Sequence, residues 1–135
     1  MPPRSSAPGT PQEWLARARS NLALAKGEKS EEVCWEDLCF NAQQAAEKAL
    51  KAVLQHKAIL FRYVHDLEEL ITTLEKHGVA VPQEVKGAVT LTQYALETRY
   101  PGGFEPVSEA EHHRALILAE QVVGWAEGVL SEKGE

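Results

Sequence analysis

The sequence predicts an all-α protein, an up-and-down antiparallel bundle of about five helices. Three observations carry that expectation. Five segments repeat apolar residues at helical spacing, caps and glycines punctuate them, and no segment alternates apolar and polar residues as a half-buried strand would. At 135 residues the chain suits one hydrophobic core and is short for two ordinary domains. The expected division is a tail over 1–9, a single helical domain over 10–131 and a frayed end over 132–135.

The opening MPPRSSAPG is rich in proline and serine and has no apolar core of the kind a signal peptide needs, so it reads as a tail. Thr10-Pro11-Gln12-Glu13 then forms a capping box with proline at the first helical position, where its missing N–H is not needed. Trp14, Leu15, Ala18, Leu22 and Ala25 supply the buried stripe, and Gly27 ends the helix. Ser30 is the expected cap of a second helix running to about Lys57, with Glu31 and Glu32 at the positive end of its dipole. Leu38, Ala42, Ala45, Ala46, Ala49, Leu50 and Val53 fall in one sector of this helix, and the alanines invite close approach by a neighbour.

After the connector AILFRYV, His65-Asp66-Leu67-Glu68 starts a third helix carrying Leu67, Leu70, Ile71 and Leu74, which Gly78 stops. A fourth is expected from about Pro82 with Val85, Ala88, Val89, Thr92 and Leu96 on its apolar side, broken by RYPGGFEP. Ser108-Glu109-Ala110-Glu111, a second capping box, opens a fifth that buries Ala115, Leu116, Ala119, Val122, Val123, Ala126, Val129 and Leu130.

Composition narrows the function. A formal net charge of −6 provides no global basic field for nucleic acid. No apolar run approaches the roughly 20 residues that span a bilayer, so a soluble, cytoplasmic protein without membrane association is expected. Cys34 and Cys39 are five residues apart within a helical pattern and point in different directions; reduced core thiols are expected. Paired metal-ligand spacings, a nucleophile elbow and a phosphate loop are all missing, so neither a metal nor a cofactor is expected.

Two clusters remain. On the second helix Gln43, Gln44, Glu47, Lys48 and Lys51 form a polar file opposite the alanine sector, with Glu47 four residues ahead of Lys51 in the favourable ion-pair order. Phe40 and Leu54 interrupt that file, which points to cover by a second subunit or by the tail. The other cluster is Arg62-Tyr63-Val64-His65-Asp66, with Arg99-Tyr100-Pro101 farther on. Each sets aromatic rings beside a cation, a mixture that stacks on bases and holds phosphates, although Asp66 and Arg99 also suit the caps of their own helices.

The run Phe40-Asn41-Ala42-Gln43-Gln44-Ala45-Ala46-Glu47-Lys48-Ala49-Leu50-Lys51-Ala52, then His65-Asp66-Leu67, then Thr98-Arg99-Tyr100-Pro101, in that order, resembles the small prokaryotic HEPN domain (higher eukaryotes and prokaryotes nucleotide-binding). The likeness extends from about Glu13 to Leu130. It implies a HEPN-like bundle, a homodimer, and a partner that is a small nucleotidyltransferase of the minimal type. In some such pairs, which are toxin–antitoxin systems, the helical member is a metal-independent ribonuclease bearing an arginine followed, after four to six intervening residues, by a histidine. None of Arg4, Arg17, Arg19, Arg62, Arg99 and Arg114 has a histidine at that distance.

The preferred expectation is therefore a non-catalytic HEPN-type protein that partners a nucleotidyltransferase and binds nucleotide or RNA phosphates. Lys48, Lys51, His65, Arg99 and Tyr100 are the expected binding residues, supported by Gln44, Glu47 and Asp66. A first alternative is an endoribonuclease with an atypical pairing, in which His65 moves the proton and Arg62 or Arg99 stabilises the charged phosphorane. A second is a purely structural dimerisation module, with Glu47 and Lys51 paired to Arg99 or Asp66.

Overall fold

The computed structural model describes residues 9–95 and 106–132, and among these no strand occurs. The order is α1 (Pro11–Lys26), α2 (Trp35–His56), α3 (Leu67–Lys76), α4 (Gln83–Lys86), a 3-10 stretch (Gly87–Ala95) and α5 (Glu109–Ser131). The chain is an all-α helical bundle.

Local chemistry accounts for most boundaries. The first capping box is reciprocal: Glu13 N–H donates to Thr10 Oγ1 at 3.1 Å and Thr10 N–H to Glu13 Oε1 at 2.8 Å. Asp66 caps α3 by accepting the Glu68 N–H at 3.0 Å, and Ser108 caps α5 by accepting that of Glu111 at 3.1 Å. Gly78, at φ +85°, occupies the left-handed position that closes α3.

Two elements differ from expectation. The second helix opens at Trp35, because the Ser30 carbonyl takes the Val33 N–H in a turn instead of Ser30 capping a helix. Glu36 and Asp37 therefore occupy the first turn, in place of Glu31 and Glu32. Cys34 is consequently exposed, and only Cys39 is a core thiol. The expected fourth helix is a single α-turn followed by the 3-10 stretch; Leu96 lies outside the described residues. Gly87 and the β-branched Val89, Thr90 and Thr92 weaken an α-helix there, and Thr90 Oγ1 bonds the carbonyl three residues back.

Side-chain pairings fix the directions. The Gly9 carbonyl meets Gln55 near the end of α2 while Asn21 meets Asn41 near its start, so α1 and α2 are antiparallel. Lys26–Glu120 and Arg19–Glu127 set α5 antiparallel to α1, and therefore parallel to α2. The connector 57–66 turns back along α2 and brings His65 to Glu47.

The seven residues expected on the inner sector of α2 are all buried, as are Ala18 and Ala25 facing from α1. Leu50, Leu54, Leu67, Leu70, Leu74 and Leu91 are fully enclosed, each adding about 1.5–3 kcal/mol of burial. No helix of the described residues is long and apolar enough to cross a membrane.

Candidate functional site

The polar file of α2 is not a solvated back. Gln43, Glu47 and Lys51 are 0%, 3% and 6% exposed, because the connector folds over them. Charged side chains this enclosed need partners. Glu47 has several: Lys51 Nζ donates to Oε2 at 2.7 Å, and Gln43 Nε2 and His65 Nδ1 lie 3.0 Å from Oε1. Gln44 Nε2 makes a longer contact at 3.4 Å. Burial pushes the Glu47 carboxyl up, but the hydrogen bonds from Lys51, Gln43 and His65 and the Lys51 charge together outweigh it and hold the group below the usual carboxylate range.

An ionised Glu47 can only accept, so the hydrogen between it and His65 sits on Nδ1. With Nδ1 donating to Glu47, Nε2 is the ring nitrogen left for other partners, and the side chain is 63% exposed. Gln43 Nε2 also donates to the His65 carbonyl at 3.3 Å, pinning the connector through both backbone and side chain. Arg62 is committed elsewhere: its Nε and an Nη donate to the two oxygens of Glu69 at 2.7 and 2.8 Å. Asp66 is the cap of α3 and does not meet Glu47 or Lys51 among the described interactions.

Above this polar core lies an open groove of about 600 Å³ between α1 and the connector, lined by Gly9, Glu13, Trp14, Ala16, Arg17, Lys48 and Tyr63. Two of its lining rings meet the buried Lys51, whose ammonium lies 5.6 Å from the Trp14 ring centre and 5.7 Å from that of Tyr63. Lys48 is aimed by a polar relay. Its Nζ donates to Asn21 Oδ1 at 2.9 Å, Asn21 donates to Asn41 at 2.9 Å, and Asn41 donates to the Asp37 carbonyl. Desolvation, and then the charge of Arg17, lower the Lys48 pKa. Neither Arg17 nor Lys48 forms a salt bridge among the described residues. Two cations near one another, neither in a salt bridge, can attract an anion.

The structure thus brings Gln44, Glu47, Lys51 and His65 into one network and sets Lys48 on the groove beside it. Arg99 and Tyr100 lie outside the described residues. Sequence reading passed over Trp14 and Arg17 as groove residues: Trp14 counted only toward the apolar stripe of α1, and Arg17 only among the arginines without a histidine at ribonuclease spacing. The available signal for Arg17 was its place one helical turn after Glu13. Among the described residues no group of three His, Cys, Asp or Glu side chains is arranged to hold a metal.

A HEPN domain family model matches residues 11–129 of the chain. Among solved structures, TT1696 from Thermus thermophilus is 31% identical, with a TM-score of 0.76 over 89% of this chain and 98% of that one. ST0689, described as an archaeal HEPN homologue, is 25% identical, with a TM-score of 0.73 over 91% of this chain and 99% of that one. A comparison with curated proteins returns no match.

Proposed function

Since this chain belongs to the HEPN domain family, we propose that it is a non-catalytic helical protein that binds nucleotide or RNA phosphates in the α1–α2 groove and partners a small nucleotidyltransferase. The assembly in this reading is a homodimer within a toxin–antitoxin-like pair. One observation carries the phosphate assignment: Lys48, aimed by the Asn21–Asn41 relay, lines an open groove with Arg17, and neither has a carboxylate partner there. A cation already oriented loses less freedom on meeting an anion, which favours binding.

Calorimetric titration with nucleoside phosphates and short RNAs is expected to give heat that is lost in Lys48→Ala with Arg17→Ala. Heat unchanged by that double substitution would sink the groove assignment. Co-purification with the small nucleotidyltransferase encoded nearest its gene tests the partnership separately.

The Glu47–His65 pair favours one second reading, an endoribonuclease. A buried carboxylate fixing Nδ1–H leaves an exposed Nε2 suited to accept or return a proton, as general acid–base chemistry requires. Arg62 is tied to Glu69, so in this reading it would have to release that carboxylate to meet the phosphorane charge. Cleavage of RNA that persists in chelator and disappears in His65→Ala selects this reading over the non-catalytic one.

A further inference from the structure

The groove is walled largely by apolar surface and carries three charged side chains, Glu13, Arg17 and Lys48. Glu13 and Arg17 lie four residues apart on α1, so they are stacked on one face about 6 Å apart in rise. Favourable spacing would ordinarily let them pair. They do not form a salt bridge, because Glu13 Oε1 is held back by the Thr10 N–H of the capping box at 2.8 Å. Gly9 makes room for that arrangement: a Cβ on it would lie 2.8 Å from the same oxygen. The carboxylate keeps acceptor capacity on its second oxygen. The groove therefore has a carboxylate toward one end, Arg17 and Lys48 toward the other, and Trp14 and Tyr63 among its walls.

We propose that this groove receives a single nucleotide whose base carries an exocyclic amino group, its phosphate on Arg17 and Lys48, its ring beside Trp14 and Tyr63, and its amino group donating to Glu13. The proposal rests on the phosphate-binding reading above and narrows it. A volume near 600 Å³ is of the size that takes one small ligand and not a duplex. A nucleic acid strand threading the groove would bring a further phosphate to the Glu13 carboxylate, and like charges at that distance repel. An amino group is rewarded at the same place, because its hydrogen bond is to an ionised acceptor.

Isothermal titration of the whole chain with adenosine monophosphate, inosine monophosphate and ribose 5-phosphate tests this. The first two differ at the 6-position, an amino group against a carbonyl, and the third lacks the base. Adenosine monophosphate is expected to bind about tenfold more tightly than inosine monophosphate, with ribose 5-phosphate weaker still. Glu13→Gln, which retains an acceptor for Thr10 and so preserves the cap, is expected to bring the two nucleotides within about twofold of each other. Tyr63→Ala is expected to weaken both nucleotides and spare ribose 5-phosphate. If all three ligands bind alike, and Lys48→Ala weakens each of them, this inference is overturned while the phosphate reading stands. If none binds, both fall.

Discussion

Replacing Glu47 by alanine removes the acceptor on which the polar core converges. The Glu47 and Lys51 side chains are 4% and 8% exposed and 2.7 Å apart, so the substitution strands an enclosed ammonium and deprives the Gln43 amide and the His65 Nδ1–H of their acceptor. Breaking a buried pair by deleting one member costs about 3–5 kcal/mol. For a domain of this size that is a fall in Tm of about 10–20 °C. Circular dichroism during urea and thermal unfolding measures both quantities. Glu47→Leu with Lys51→Met, which removes both charges and keeps volume, is expected to return to within about 2 kcal/mol of the parent. A loss below about 1 kcal/mol in Glu47→Ala would refute the idea that this network holds the connector on α2. Acidification probes the same group. Its folded pKa lies below the ordinary carboxylate value, so its contribution is fully present above that value and is lost as pH falls through the folded one. Below about pH 5 the parent is expected to lose stability faster than Glu47→Gln.

Three other outcomes follow from single positions. Ala58, at φ +59°, sits in the left-handed region just past α2, and Ala58→Gly is expected to raise unfolding free energy by about 1 kcal/mol in urea titration. Gly78→Ala at φ +85° is expected to lower it by about 1 kcal/mol, although the space around Gly78 is open, because the cost is backbone strain and not a clash. Leu50→Ala, at a fully enclosed site in the middle of α2, is expected to cost about 2–5 kcal/mol by the same measurement.

The elements that sequence resolved well are those whose signals are local. Thr10 with Glu13, Asp66 before Leu67, Gly78 after α3 and Ser108 before α5 each act within one helical turn, and each lies where the pattern put it. The start of α2 failed because Ser30 can cap a helix or close a turn, and Val33 takes its carbonyl in the latter. The structural alternative had already paired Glu47 and Lys51 with other charges, but what encloses the file was hidden for a different reason: Tyr63 and His65 lie 12 or more residues away in sequence, and helical periodicity carries no information about that. Leu54 was the one hint. It interrupted the polar file, and its cover comes from this chain: Leu54 is fully buried, Ile59 N–H bonds its carbonyl, and Tyr63 and His65 lie over the adjoining turns of α2. Phe40, by contrast, is 44% exposed.

On the proposed phosphate reading, the alanines of α2 bear on ligand recognition as well as on core stability. Ala42, Ala45, Ala46, Ala49 and Ala52 are wholly enclosed, as are Ala18 and Ala25 of α1. Methyl groups set how closely the helices approach, and the helices carry Arg17 and Lys48. The gap between those two cations is therefore gauged from beneath. A valine for an alanine between the helices would act as a shim, parting the cations and so loosening the proposed grip on one phosphate without altering either cation. On the proposed phosphate reading such a change alters ligand preference together with the roughly 1–3 kcal/mol that overpacking costs the fold.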